Sequence, residues 1–289
     1  MTRARATTTG FAAVLLWALL ALLTVGTDPA PPFLLNTVCF AIGGICGLVW
    51  AAVTGGLRQL RSVPLPVYLM GTAGLFGYHA LYFSALRLAP AAEAGLIAYL
   101  WPLLIVVFSG LLPGERVRPG HLIGAMIGFG GAALIISGGS TGFQPHYASG
   151  YGLAFLCALT WSSYSVLSRR AGQAPTATVA VFCLAAAILS LPLHLALEET
   201  QWPVGTGGWL SLALLGLGPV GLAFFVWDIG VKQGDIQLLG TASYAAPLLS
   251  TLALVAAGIA APSLSLALAA LLITGGAVVA ARASLSARD

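Results

Sequence analysis

Long apolar runs, separated by short polar connections, extend along the whole chain. An α-helix needs about 20 consecutive apolar residues to cross a bilayer. Ten runs approach that length: residues 8–26, 33–53, 65–87, 91–112, 120–138, 150–169, 176–196, 207–231, 238–259 and 263–282. Because lipid cannot satisfy a free backbone amide, each run is predicted to form a membrane-spanning helix. The short connections leave no room for a soluble domain.

The composition agrees with this pattern. Charged residues make up 7% of the chain and hydrophobic residues 59%, with a mean hydropathy of +0.97. In soluble domains about 25% of residues are charged. The chain is therefore predicted to be an all-α polytopic membrane protein whose partner is the lipid bilayer. The pI near 9.0 does not indicate nucleic-acid binding, because 12 basic residues are too few for a basic binding face.

The basic residues are distributed unequally between the two sets of connections. One set contains only Arg87. The positive-inside rule places the other set, and with it both termini, in the cytoplasm. We interpret the first run as an uncleaved helix of a multi-pass protein. The residues of this second set are Arg3, Arg5, Arg58, Arg61, Arg116, Arg118, Arg169, Arg170, Lys232, Arg282 and Arg288.

The two halves of the chain share motifs at a constant spacing. "YLWPLL" begins at Tyr99 and "YAAPLL" at Tyr244, an offset of 145 residues. We interpret the chain as a duplication of five helices, with the repeats at residues 1–145 and 146–289. The same offset relates Arg87 to Lys232, Gly95 to Gly240, Pro102 to Pro247 and Gly130-Gly131 to Gly275-Gly276, while Trp17 and Trp161 are 144 residues apart.

The odd number of helices in each repeat determines their relative orientation. The second repeat must enter the membrane upside down relative to the first. The predicted fold is thus ten transmembrane helices in two inverted five-helix repeats. Transporters often have this architecture, and their substrate site lies near the midplane, at the interface between the repeats.

The segment "ALRLAPAAEAGLIAYLWPLLIVVFSGLLPGE", Ala85 to Glu115, resembles the signature of the EamA family of the drug/metabolite transporter superfamily. The second repeat departs from it, with Ile259-Ala260 in place of Gly114-Glu115. The aromatic third and fourth helices are similar to those of family members that export aromatic amino acids. The resemblance implies export across the bacterial inner (cytoplasmic) membrane, with aromatic amino acids as substrates; another metabolite or an organic cation is the alternative.

Candidate site residues begin with "GYHALYF", residues 77–83 of the third run. At about 100° per residue, Tyr78 and Tyr82 stack one turn apart and His79 lies on the adjacent flank. Tyr82 also suits an interfacial aromatic belt. An ionisable group near mid-span faces a cavity or has a partner. For His79 we therefore retain two alternatives, which are a cavity-lining histidine and a core histidine bonded to a neighbouring carbonyl.

Further aromatic residues occur near the predicted midplane of several helices. Together they would offer flat apolar walls with a few hydrogen-bonding edges, suited to an aromatic solute with a polar end. Plain helix packing is the alternative, and because Pro102 can bend its helix we predict only that one of Tyr99 and Trp101 faces the cavity. The predicted substrate-binding set is Tyr78, His79, Tyr82, Tyr99, Trp101, Trp17, Trp161, Tyr164, Phe224, Trp227 and Tyr244.

Charged residues within the runs are sparse, which bears on the energy source. The first run contains no carboxylate, unlike the first helix of the small four-helix relatives in this superfamily. His79 is then the one group expected to titrate at depth, which favours a facilitated carrier and leaves proton coupling open. Three carboxylates are predicted to have structural roles at helix ends: Glu93 in an ion pair near Arg87, Asp228 with Lys232, and Glu115 beside Arg116.

Glycine and proline indicate which helices pack closely and which bend. "GAMIGFGG", residues 124–131, has small residues four apart, so helices five and ten are predicted to form a static seam between the halves, with an oligomer contact as the alternative. Bends in the other helices would let the halves exchange conformations, so that a central cavity opens to one side at a time by alternating access. The predicted hinge residues are Gly74, Gly77, Pro102, Gly221 and Pro247.

Other classes of function lack their motifs. The sequence contains no HExxH and no GxxxxGK[ST], and Lys232 is its single lysine, which argues against an enzyme or an ATP-driven pump. A channel would need a polar-lined pore or a ring of charged residues, and the sequence supplies neither. The four cysteines lie in apolar runs without a CxxC pair and are predicted to be buried. We expect no cofactor and no metal, and a functional monomer.

Overall fold

The computed structural model describes residues 1–138 and 142–285. Arg288, counted above among the basic residues, lies outside them. The described residues form fifteen α-helices and contain no strand. These are α1 (Arg3–Ala18), α2 (Leu20–Gly26), α3 (Pro32–Val53), α4 (Leu57–Leu60), α5 (Leu65–Leu88), α6 (Ala91–Ala98), α7 (Trp101–Ser109), α8 (Pro119–Ile136), α9 (Ala148–Arg170), α10 (Thr178–Leu197), α11 (Gly205–Leu217), α12 (Ala223–Gln233), α13 (Ile236–Ala242), α14 (Ala245–Ala256) and α15 (Leu264–Leu285).

Each of the ten predicted runs overlaps a helical segment, and eight of these segments are long and apolar enough to cross a membrane. The other two segments are α5 and α9, with 24 and 23 residues. They fall short in apolar character, because α5 contains the "GYHALYF" stretch and α9 contains "TWSSYS". The eight are Arg3–Gly26, Pro32–Val53, Ala91–Ser109, Pro119–Ile136, Thr178–Leu197, Gly205–Gln233, Ile236–Ala256 and Leu264–Leu285.

Several of these segments are interrupted. α6 gives way to α7 at Tyr99–Leu100, and α13 gives way to α14 at Ser243–Tyr244. Each break comes shortly before a proline, Pro102 or Pro247, whose ring clashes with the preceding turn. A π-helical turn, Gly218–Leu222, joins α11 to α12. α1 and α2 are separated at Leu19, where no proline is present.

Small residues let the longest helices approach closely in antiparallel pairs. A Cβ added at Gly120 would lie 2.9 Å from the side chain of Ala283, and one at Gly124 would lie 2.5 Å from the carbonyl oxygen of Gly276. Farther along α8, Gly131 faces Ala269 of α15. The contacts therefore run in opposite directions along the two helices. The pairs α3–α10, α5–α9 and α1–α12 also pack extensively.

The cysteines are placed differently from one another. Cys39, Cys157 and Cys183 are buried as predicted, whereas Cys46 is exposed. The prediction was wrong for Cys46 because this side chain lies on the apolar outer face of α3, next to exposed Ile45.

Candidate functional site

A cavity of about 550 Å³ lies among α1, α2, α3, α5, α7, α9, α11, α12 and α14. Its rim includes the exposed residues Thr24, Val25 and Pro32. This rim lies close to Arg87, since Glu198 binds both the Arg87 guanidinium and the backbone amide of Phe33. The cavity therefore opens at the end of the bundle marked by Arg87, called here the Arg87 end.

The "GYHALYF" stretch forms one wall of the cavity. The Tyr78 and Tyr82 rings stack with centroids 6.1 Å apart and planes 8° apart, as expected for residues one turn apart. His79 Nδ1 lies 2.7 Å from the carbonyl oxygen of Leu75. The structure combines the two alternatives for His79, because its ring is bonded to a neighbouring carbonyl and also lines the cavity.

Four tryptophans from four different helices pack together, and we call them the tryptophan layer: Trp17, Trp101, Trp161 and Trp227. The first three line the cavity, and Trp227 packs behind them. Their ring centroids are separated by 5.2 Å (Trp17–Trp227) to 6.3 Å (Trp101–Trp161). Most of the pairs are edge-on or tilted, the arrangements that aromatic quadrupoles favour. Trp17 also donates to the carbonyl of Pro219 over 3.2 Å, which fixes α1 against the π-helical turn.

Most of the predicted binding residues are brought together. Both Tyr99 and Trp101 line the cavity, although the sequence predicted only one of them to do so. This is possible because the helix is interrupted between them, so the two side chains no longer point to opposite faces of one straight helix. The eight predicted residues that line the cavity are Trp17, Tyr78, His79, Tyr82, Tyr99, Trp101, Trp161 and Phe224.

The other three predicted binding residues lie behind the wall. The Tyr164 ring packs against Gly74, where a Cβ would lie 2.4 Å from it. Trp227 is fully buried in the tryptophan layer and donates to Ser165 Oγ. The Tyr244 hydroxyl accepts a hydrogen bond from the backbone amide of Leu103 over 3.1 Å, which joins the two interrupted segments α6–α7 and α13–α14.

The cavity also includes residues that the sequence reasoning did not single out. Asn36 of α3 lines it, together with Cys39 and Phe83. Asn36 is 4% exposed, and its amide nitrogen lies 3.5 Å from Ser190 Oγ. Asn36 could have been recognised in the sequence as a carboxamide within a largely apolar run, because a polar residue inside the membrane indicates a functional site.

Opposite the Arg87 end, an ion cluster closes the bundle. Glu115 pairs with Arg169 of α9 and lies 3.2 Å from Arg3 of α1. Arg3 is also 3.6 Å from Asp235, and Gln237 donates to Glu115 over 3.2 Å. We call the end of the bundle that contains this cluster the basic end. Glu115 therefore has the structural pairing that was predicted, but with partners from distant helices.

Two of the other predicted ion pairs have contrasting outcomes. Lys232 lies 2.9 Å from Asp228, which confirms the predicted contact one helical turn apart. Glu93 instead accepts a hydrogen bond from the backbone amide of Gly142. The carboxylate that Arg87 binds is Glu198, 111 residues away, and local spacing could not have identified it.

The lining of the cavity is polar at several points but contains no Asp, Glu, Lys or Arg among the described residues. Its hydrogen-bonding groups are hydroxyl, indole, imidazole, thiol and amide groups. Within residues 1–138 and 142–285, no cluster of three His, Cys, Asp or Glu side chains lies close enough to hold a metal ion. The arrangement can enclose an aromatic solute and present neutral hydrogen-bonding groups to its polar end.

Comparison with known proteins gives consistent matches over nearly the whole chain. The chain is 56% identical over 283 residues to the protein named aromatic amino acid exporter YddG of Ancylobacter novellus, covering 97% of this chain and 98% of that one. It is 26% identical to the protein of the same name in Escherichia coli, covering 96% and 97%. A solved structure titled "Crystal structure of protein" matches with a TM-score of 0.92 and 55% identity, covering 96% of this chain and 98% of the other.

The family comparison also includes both halves of the chain. The model of the EamA-like transporter family matches residues 5–137 and again residues 148–282. These two matches together include most of the described residues, with the cavity lining inside them. The chain belongs to the EamA-like transporter family.

Proposed function

We propose that this protein exports aromatic amino acids and related aromatic compounds across the bacterial inner membrane by alternating access. The observation that carries the proposal is a cavity of about 550 Å³, lined by aromatic rings and neutral hydrogen-bonding groups and open at the Arg87 end. Relatives named as aromatic amino acid exporters support the substrate class. The protein acts as a transporter rather than an enzyme and needs no cofactor.

The number of spans follows from length as well as hydropathy. At 1.5 Å per residue, α5 and α9 are each about 35 Å long, enough to cross a hydrocarbon core of about 30 Å. They pack against each other and line the cavity, so their polar side chains need not face lipid. With the eight apolar segments, α5 and α9 bring the total to ten spans.

The contact between α8 and α15 supports an inverted repeat of residues 1–145 and 146–289. Gly276 packs on Gly124 and Gly128, while Gly131 packs on Ala269 and Ile273. Gly124 and Gly128 are related by the offset of 145 to Ala269 and Ile273, and Gly131 is related in the same way to Gly276. The two helices therefore exchange equivalent contacts, as the two sides of a two-fold interface do. The double match to the family model agrees.

The positive-inside rule assigns the basic end, and with it both termini, to the cytoplasm. In this orientation the cavity faces outward, and the tryptophan layer and the Glu115 cluster separate it from the cytoplasm. Export then requires the basic end to open and the Arg87 end to close around the solute. Because one chain contains both halves of the site, the unit of transport is a monomer.

We assign the bending that opens the basic end and closes the Arg87 end to the interrupted helices. Pro102 and Pro247 follow the breaks before α7 and α14, and Gly221 lies in the π-helical turn. Gly74 and Gly77 lie in the continuous helix α5, where they face Tyr164 and Thr160 across the crossing with α9. Those two glycines allow α5 to move against α9 as a rigid body.

The energetics follow from the neutral lining. Because no ionised side chain lines the cavity within the described residues, the protein moves its substrate down a concentration gradient by facilitated transport. Proton coupling would require a buried group that exchanges a proton for substrate. His79 is the group that lines the cavity and could do so.

The test is radiolabelled tryptophan flux into liposomes that contain the purified protein, with and without a pH gradient. We expect saturable flux without a gradient, and loss of flux in Trp101→Ala and His79→Ala. Trp50→Ala is the matched control, because Trp50 is 54% exposed on the outer face of α3. Flux only with a gradient would overturn facilitated transport. Flux of an organic cation in place of tryptophan would overturn the substrate class.

A further inference from the structure

The hydrogen bond of His79 determines which ring nitrogen faces the solute. A carbonyl oxygen can only accept, so the Nδ1 atom 2.7 Å from the Leu75 carbonyl must carry the proton. In a neutral imidazole the other nitrogen, Nε2, is then a hydrogen-bond acceptor. The ring is held edge-on between Phe40 and Tyr78, with centroids 5.0 Å and 5.2 Å away, so it presents this acceptor in a fixed direction.

Asn36 supplies a second acceptor on the same side. It lies one turn before Phe40 on α3, and therefore on the helix face that contacts His79. Its amide nitrogen is directed to Ser190 Oγ, which leaves the carbonyl oxygen Oδ1 for another partner. We call His79 Nε2 and Asn36 Oδ1 the acceptor pair.

Hydrogen-bond donors lie on the other flank of the cavity. The hydroxyls of Tyr82 and Tyr99 and the indole nitrogens of Trp101 and Trp161 belong to residues that line the cavity, and within residues 1–138 and 142–285 they form no hydrogen bond. Tyr78 packs on Trp161, with centroids 5.5 Å apart, so this flank extends from α5 to α9. These four groups can each donate to an anionic oxygen.

We propose that the acceptor pair binds the α-ammonium group of the substrate, while these hydroxyl and indole groups bind its α-carboxylate. The inference rests on the proposed function and adds the orientation of the substrate. An ammonium group only donates and a carboxylate only accepts, so each end of a zwitterion matches one flank. A neutral cavity contains no counter-charge for a ligand of net charge, and burying an unpaired charge is costly. The site therefore favours the zwitterion over the amine or the acid alone.

The experiment compares three ligands that share the indole ring: tryptophan, tryptamine, which lacks the carboxylate, and indole-3-propionate, which lacks the ammonium group. Equilibrium dissociation constants are measured on purified wild type, His79→Leu and His79→Gln. Removing a hydrogen bond to a charged group weakens binding by roughly tenfold or more. We expect His79→Leu to bind tryptophan and tryptamine roughly tenfold or more weakly than wild type. It should bind indole-3-propionate within about twofold of wild type. His79→Gln, whose amide oxygen can reach the position of Nε2, restores most of the loss.

Asn36→Asp provides a second test that does not depend on the His79 variants folding. A carboxylate at this position should strengthen tryptamine binding and weaken indole-3-propionate binding, each by roughly tenfold. Equal losses for all three ligands in His79→Leu, or no change of preference in Asn36→Asp, would overturn the acceptor pair and leave the transporter assignment intact. Failure of wild type to bind any of the three ligands would overturn the substrate class and the acceptor pair together.

Discussion

Arg169, in the last turn of α9, donates a hydrogen bond to Glu115, which precedes it by 54 residues. The other guanidinium nitrogen of Arg169 donates to the carbonyls of Val231 and Gly234, and Glu115 also binds Arg3. This contact therefore joins the connection after α7 to the ends of α1, α9 and α12. Both side chains of the pair are largely buried, with exposures of 17% and 9%.

Removing the charge of Glu115 should open the basic end. Glu115→Gln leaves Arg169 and Arg3 without their anionic partner, which costs about 1–3 kcal/mol. We expect a longer and broader distance distribution between spin labels at the exposed positions 5 and 172, measured by pulsed electron resonance after replacing exposed Cys46.

A double-mutant cycle separates a specific role of the Glu115–Arg169 pair in closing the basic end from general destabilisation. If the pair holds the basic end closed, Arg169→Gln gives the same change, and Glu115→Gln with Arg169→Gln together add little beyond either one. Fully additive effects, or an unchanged distance distribution in both single variants, would show that the pair does not hold the basic end closed.

Glu198 should be important for the rim of the cavity. Its carboxylate accepts from the backbone amides of Phe33 and Leu34, from Arg87 and from His194 Nδ1. It thereby joins the start of α3 to the ends of α5 and α10. Glu198→Gln removes the charge from these bonds and should destabilise the protein by about 1–3 kcal/mol, seen as a melting temperature lower by several degrees in detergent.

The adjacent residue offers a control for this prediction. Glu199 is exposed, and within the described part of the chain no ion pair involves it, so Glu199→Gln should melt like wild type. Equal melting temperatures for the two variants would contradict a structural role for the Glu198 cluster.

The seam between α8 and α15 gives two matched pairs of adjacent glycines. A Cβ on Gly276 would lie 2.4 Å from the carbonyl oxygen of Gly124, whereas a Cβ on Gly275 meets nothing within 4 Å. The equivalent residues in α8 behave alike, because Gly131 is crowded and Gly130 is open. Alanine at 276 or 131 should cost about 1–3 kcal/mol by overpacking, while alanine at 275 or 130 should be neutral or slightly stabilising.

Thermal unfolding of the four alanine variants tests the seam and its symmetry together. Both crowded positions should lower the melting temperature, and Gly276 should lower it more, because a Cβ there meets the Gly124 backbone at 2.4 Å whereas the nearest atom to one at Gly131 is in the Ile273 side chain at 2.8 Å. A loss at 276 without one at 131 would contradict equivalent contacts from the two repeats, and no loss at either would contradict the close approach itself.

The sequence predicted the course of the helices well, because a bilayer requires long apolar runs whatever their tertiary packing. It also predicted Asp228 with Lys232, since residues four apart on a helix are neighbours. It did not identify Glu198 as the partner of Arg87 or Arg169 as the partner of Glu115, because those contacts join residues far apart in the chain.

Side-chain direction was the harder part of the candidate site. Tyr78 and His79 could be placed on one wall from helical periodicity, since α5 is continuous. Periodicity failed at Tyr99 and Trp101, where the helix is interrupted, and at Tyr164, whose helix α9 turns that ring toward Gly74. Asn36 was overlooked because one polar residue in an apolar run has no periodic signal until its neighbours in space are known.

The crossing of α1 and α12 at the basic end should tolerate no side chain at its centre. A Cβ added at Gly10 would lie 2.7 Å from the Cα of Gly230, and one at Gly230 would lie 2.5 Å from the Cα of Gly10. Because the obstructing atoms belong to the backbone, the helices themselves must separate. Gly10→Ala should therefore cost about 1–3 kcal/mol in the closed conformation. Gly152→Ala is the control, since nothing lies within 4 Å of a Cβ at that helical position.

Two measurements distinguish a gate at this crossing from a purely structural contact. If the helices separate when the basic end opens, the closed conformation alone is destabilised, and Gly10→Ala should lengthen the distance between labels at positions 5 and 172 with little unfolding. If the crossing stays packed throughout transport, the variant should melt several degrees lower with an unchanged distance. Gly10→Ala that matches Gly152→Ala in both measurements would contradict the close approach of α1 and α12.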